Sequence, residues 1–147
     1  MADVHEPSVR SYNMSRVKGK NTKPEIQVRK ALHAAGFRYT LHGKYKGKKL
    51  PGNPDIILPS YKSVVFVHGC FWHAHEGCKF FKIPETREDF WKEKLYGNRN
   101  RDLRNLTELT EMGWNVFVVW TCELKTRELS ELKLSRLKEE LSSLKPK

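Results

Sequence analysis

Long apolar runs are missing from this 147-residue chain. None approaches the roughly 18 residues that a membrane-spanning helix needs. The opening MADVHEPSVRSYNMSR holds no apolar segment of the signal-peptide type, so a cytoplasmic protein is expected. Cysteine is scarce, with three residues in all. In a reducing compartment such thiols are better explained by metal binding than by disulfides. Repeats and internal linkers are absent, and the length suits one domain around one core. Acidic residues are outnumbered, 17 against 28 Lys plus Arg, for a net charge of +11. That excess points to a polyanion, and nucleic acid is the default partner because counterion release from phosphates drives such binding. A membrane surface is the weaker alternative, since no basic amphipathic helix with exposed aromatics is evident.

What is present follows a regular order. Residues 1–20 are polar and basic, with Arg10, Arg16, Lys18 and Lys20, and are expected to form a mobile arm ahead of a single domain over 21–147. Thr22, Pro24 and Glu25 have the spacing of a capping box and a first helical turn. Val28, Leu32 and Ala35 then make an apolar face that Gly36 ends. Strands are expected at 37–41, 55–58 and 63–68, with a Lys- and Gly-rich loop over 42–53. One helix should begin at Thr86, with Phe90, Trp91 and Leu95 inward. Another should run from about Arg99 to Met112 with Leu103, Leu106 and Leu109, and Gly113 should cap it. A strand at 114–120 and a helix at 126–144, with Leu129, Leu132, Leu137 and Leu141, complete the chain. This order predicts an α/β fold, a mixed sheet with helices on both faces.

The densest chemistry lies at His68-Gly69-Cys70-Phe71-Trp72-His73-Ala74-His75-Glu76-Gly77-Cys78. Cys70, Cys78 and the distant Cys122, with one imidazole, make a Cys₃His set suited to tetrahedral zinc. His75 is taken as the fourth ligand, but His73 could replace it, and spacing alone does not decide. Four protein ligands leave no free position, so such a zinc is structural and locks the loop holding Phe71, Trp72 and His73. A second group is Pro54-Asp55 at one strand edge and His68 at the end of the next. This resembles the restriction-endonuclease-like core, with Val67-His68-Gly69 where that core has Glu-x-Lys. Phosphodiester hydrolysis needs a carboxylate for a hard metal and a base for water, and neutral imidazole suits the base.

Pro51-Gly52-Asn53-Pro54-Asp55, Phe66-Val67-His68-Gly69-Cys70-Phe71-Trp72-His73, Phe90-Trp91, Asn98, Arg101-Asp102 and Gly113-Trp114 closely resemble the very-short-patch DNA mismatch repair endonucleases, in order from about residue 1 to 125. The resemblance implies a bacterial cytoplasmic enzyme acting at the nucleoid. It would nick one strand of double-stranded DNA 5′ to the thymine of a T:G mismatch left by deaminated 5-methylcytosine. It implies Mg2+ held by Asp55 and the Val67 carbonyl, and Zn2+ held by Cys70, His75, Cys78 and Cys122. His73 matches the general base, His68 a second catalytic imidazole, and Glu25 and Asp102 the supporting acids. Phe71, Trp72 and Trp91 match aromatics that intercalate beside the mismatch. The residues alone also allow Trp91 as helix core and Phe71-Trp72 as a cap over the zinc. A monomer is expected, with downstream repair proteins as further partners. Two departures stand out: Asn53 where a basic residue is expected, and a longer Lys-rich stretch over 43–49. Two other readings are a non-catalytic zinc-stabilised DNA-binding module and a restriction-type double-strand endonuclease.

Overall fold

The computed structural model describes residues 22–41 and 43–144, so the expected arm at 1–20 lies outside the described residues. Helix α1 (Lys23–Ala34) opens where expected: the Thr22 hydroxyl accepts the Glu25 N–H at 3.5 Å and Pro24 sits in the first turn. Val28 and Leu32 are fully buried, whereas Ala35 is the exposed C-cap rather than part of the inward face. Gly36 ends the helix at φ +93°, a left-handed position that glycine adopts without strain.

The strand expected at 37–41 shrinks to a single bridge, in which Thr40 exchanges hydrogen bonds with Ile57 at 2.8 and 2.9 Å. The strand segment opposite it, Ile56–Leu58, has only three residues, too few to extend a ladder. The expected loop at 42–53 is instead built around a hairpin, β1 (Lys44–Tyr45) and β2 (Lys48–Lys49). Lys46 and Gly47 join its strands at φ +53° and +78°, the left-handed pair that a two-residue hairpin turn demands.

The main sheet has the order β3 (Ile56–Leu58), β4 (Ser63–His68), β5 (Asn115–Trp120), antiparallel on one side of β4 and parallel on the other. This is the expected mixed sheet. Alternate residues face opposite ways, as strand geometry requires. Ile56, Leu58, Val65 and Val119 pack against Val28 and Leu32 of α1 and against Leu134, Leu137 and Leu141 of α3 (Arg127–Ser142). Ile57, Val64 and Phe66 pack on the other face against Leu109 and Trp114. On α3 the buried stripe is Ser130, Leu134, Leu137 and Leu141, while Leu129 and Leu132 remain 47% and 56% exposed. The inward face is therefore rotated from the one expected.

A parallel pair needs a long crossover, and between β4 and β5 it is supplied by one helix, α2 (Glu88–Glu111), not two. Two helices are expected here from sequence, the second from about Arg99, and Gly97 lies at the junction. Yet an interior glycine costs only about 1 kcal/mol, and Leu95 and Leu109, buried on either side, hold the helix continuous. Thr86 precedes the helix rather than starting it, and Leu103 is 55% exposed. The register pairs His68 with Trp120, so β4 and β5 end side by side. The loops leaving them therefore emerge at the same edge, and every candidate site residue gathers there.

Candidate active site

Asp55 stands just before β3, and its carboxylate accepts the Val67 N–H of β4 at 2.7 Å. Burial raises this carboxyl from 3.8 to about 7; the Val67 N–H pulls the other way, and the nearby Glu25 carboxylate adds to the rise. Two acids crowded at a poorly hydrated spot are what a hard divalent cation relieves. Glu25 is carried in by the first turn of α1 and also pairs with Arg29 at 3.4 Å.

His68, the last residue of β4, is buried. Burial and the neighbouring His73 lower its pKa from 6.5 to about 4, against the pull of Asp102, so it is neutral at physiological pH. The two imidazoles stack with centroids 3.9 Å apart and planes within 5°. Nδ1 of His73 lies 2.6 Å from Oδ2 of Asp102 on α2. With Nδ1–H donated to that carboxylate, Nε2 is left as the proton acceptor, the arrangement that makes imidazole a positioned base. Glu25, Asp55, Val67, His68 and His73 line one cleft of about 1190 Å³ together with Asp102.

On the loop after β4, joined by Cys122 after β5, the side chains of Cys70, His75, Cys78 and Cys122 place their donor atoms within 4.8 Å of one another. His75, not His73, joins the thiols, because His73 turns to Asp102 instead. The His75 ring stacks on Trp120 at 3.9 Å, with its Nδ1 3.6 Å from the Cys122 sulfur. Burial, reinforced by Cys70 and Cys78, pushes the Cys122 thiol up to about 12. Three thiols and an imidazole converging on one point are a soft donor set, so the cluster fits a metal.

The aromatics form a third group. Phe71, Trp72 and Trp91 lie with centroids 5.1, 5.6 and 6.0 Å apart. All three are half-buried, and none belongs to either hydrophobic core. Trp91 is therefore not the core residue that its helix position allowed. Phe90, expected inward, stays 45% exposed against Trp91.

The model of the family described as DNA mismatch endonuclease Vsr matches residues 2–79. The DNA mismatch endonuclease Vsr of Escherichia coli is 41% identical over 87% of this chain and 79% of its own. The type II nicking enzyme V.NmeAIP of Neisseria meningitidis is 45% identical over 96% of this chain and 97% of its own. V.XorIIP of Xanthomonas oryzae, also named a type II nicking enzyme, is 46% identical over 93% and 97%. The chain belongs to the Vsr family of DNA mismatch endonucleases. DNA is thus its substrate and phosphodiester hydrolysis its reaction.

In this Vsr-family endonuclease the cleft also holds residues to which no role was assigned from sequence: Arg29, Lys44, Lys49, Lys94 and Asn98. Asn98 donates to the Trp72 carbonyl at 3.0 Å and accepts from Arg101, tying the aromatic loop to α2. Their signal was present. Lys94, Asn98 and Asp102 recur every four residues, one stripe of a continuous helix. Expecting two helices, the second from about Arg99, hid it. Asn53 also gains an explanation, since it sits at φ +51°, where asparagine is tolerated better than a long basic side chain. No helix among the described residues is long and apolar enough to cross a membrane.

Proposed function

We propose that this endonuclease nicks one strand of duplex DNA 5′ to the thymine of a T:G mismatch, starting very-short-patch repair of deaminated 5-methylcytosine on a restriction-endonuclease-like core. The observation that carries the reading is the 2.6 Å His73–Asp102 contact in the same cleft as the Asp55–Glu25 pair. Asp102 fixes the tautomer of His73, whose Nε2 takes the proton of the attacking water. His68, neutral and stacked on His73, offers a ring N–H to the phosphate. Asp55, with the Val67 carbonyl and the Glu25 carboxylate nearby, would hold Mg2+. Once bound, that ion supplies positive charge opposite the charge building on the phosphate.

Cys70, His75, Cys78 and Cys122 would hold Zn2+, three thiolates and an imidazole being a closed structural set. The ring cluster of Phe71, Trp72 and Trp91 suits a wedge. A wobble pair stacks poorly, unstacking costs a few kcal/mol per step, and inserted rings replace the lost stacking. The nicking outcome is supported by the names of the relatives from N. meningitidis and X. oryzae. The test is Asp55→Ala. Mismatch binding in a gel-shift assay should persist while nicking in magnesium falls by at least about 10²-fold. Cleavage at the wild-type rate would remove Asp55 from the site.

A further inference from the structure

The β1–β2 hairpin carries four lysines in six residues, at 44, 46, 48 and 49, and Asp55 is the single acid between positions 26 and 75. Among the described residues none of the ion pairs includes any of these lysines. Lys44 and Lys49 stand directly opposite each other on the antiparallel pair. Cross-strand partners share a face, and both residues line the cleft that holds Asp55 and His73. Like charges placed opposite one another destabilise a hairpin, and such local conflicts mark places where a ligand restores the balance.

The finger is built rather than loose. On its other face Tyr45 packs edge-on against Trp114 at 5.1 Å, and Lys62 lies over the Trp114 ring at 4.5 Å. At its base Gly43 accepts the Leu50 N–H at 2.8 Å and touches the chain at Asn53, where a Cβ on Gly43 would lie 2.7 Å from the Asn53 Cα. A pinned hairpin that turns a pair of unneutralised ammonium groups toward a nuclease cleft matches a polyanionic backbone passing over it.

We propose that this hairpin is a phosphate clamp for duplex DNA, in which Lys44 and Lys49 each neutralise one backbone phosphate of the duplex leaving the cleft. The inference extends the proposed function and rests on DNA being the substrate. Contacts of this kind hold the duplex irrespective of base identity.

The test is the salt dependence of binding, by fluorescence anisotropy, of wild type and the Lys44→Gln/Lys49→Gln double variant on T:G and matched duplexes of equal length. Each lost phosphate contact lowers the slope of log K against log salt by about 0.9, so the variant should lose about 1.8 on both duplexes. Arg136→Gln/Lys138→Gln on α3, an equal change in charge away from the cleft, should keep the wild-type slope. The hairpin variant should melt no lower than wild type, because a like-charge pair has been removed. An unchanged slope, a loss confined to the mismatched duplex, or an equal loss in the α3 control would each overturn the clamp. A wild-type protein that binds T:G no better than matched DNA would overturn the mismatch function instead, and leaves the slope comparison to decide the clamp.

Discussion

The 2.6 Å contact between His73 and Asp102 singles out one histidine, on a loop rich in others, as the proposed base. If His73 is the proposed base, His73→Ala should lower the nicking rate by roughly 10²–10⁴-fold, the usual worth of such a group, with the metal content of the thiol cluster unchanged by elemental analysis. Loss of metal from that variant would make His73 a ligand after all. Asp55 makes a second prediction through its proton. The folded carboxyl holds it up to about pH 7, against a reference of 3.8. Its contribution to stability is thus fully present below about pH 4 and is lost as pH rises through 7. Without added magnesium, Asp55→Asn should melt roughly 3–6 °C above wild type at pH 8 and with it at pH 4. Equal melting at both values would mean that the carboxyl is better hydrated than its burial implies. The histidines were nameable because His68-Gly69-Cys70-Phe71-Trp72-His73 is dense in chemistry; Asp55 stood out beside Pro54, and Asp102 came only with the family resemblance. The choice of His75 over His73 for the thiol cluster was not fixed by spacing, since either imidazole can reach across a short loop.

At the scale of elements, two features decide how the site is assembled. The parallel β4–β5 pairing ends both strands together, so Cys122 arrives beside Cys70 without a long detour. If this cluster holds the proposed metal, Cys122→Ser should release it and lower the melting temperature by on the order of 10 °C, because binding energy is folding energy in such sites; metal content and calorimetry check it together. The other feature is α2. Its C-terminal end announced itself through Gly113, which sits at φ +92°. Its continuity did not, because an interior glycine reads as a break when tertiary packing is out of view. A Cβ at Gly97 would meet only Arg101 Nη1, at 3.8 Å, and the residue is not left-handed. Gly97→Ala should therefore stabilise the protein by about 0.5–1 kcal/mol. A lower melting temperature for this variant would contradict an unbroken helix. The rotated face of α3 escaped for a related reason: leucines at 129, 132, 137 and 141 fit one helical stripe about as well as another, and only packing against α1 selects among them.

For the whole molecule, the net charge of +11 named a polyanion before any fold was considered, and the cleft shows where part of that charge is spent. Arg29, Lys44, Lys49 and Lys94 line it around the acids and histidines, a basic rim surrounding a small acidic centre. Such a rim draws in phosphate from solution, while the acidic centre repels it until a cation is bound. Binding should therefore be steeply salt-dependent, and the nicking step should depend on the divalent ion. The sheet, its two helical layers and the thiol cluster were legible from periodicity and spacing. The cleft itself was not, because it is made by residues from α1, the hairpin, β4 and α2 that only the fold brings together. The most direct measurement is cleavage of duplexes labelled separately on each strand, carrying T:G or C:G at the same position, with and without magnesium. A single nick 5′ to the mismatched thymine, dependent on magnesium, is expected, with the partner strand intact and the matched duplex uncut. Cutting of both strands, or equal cleavage of the matched duplex, would contradict a mismatch-directed nicking site.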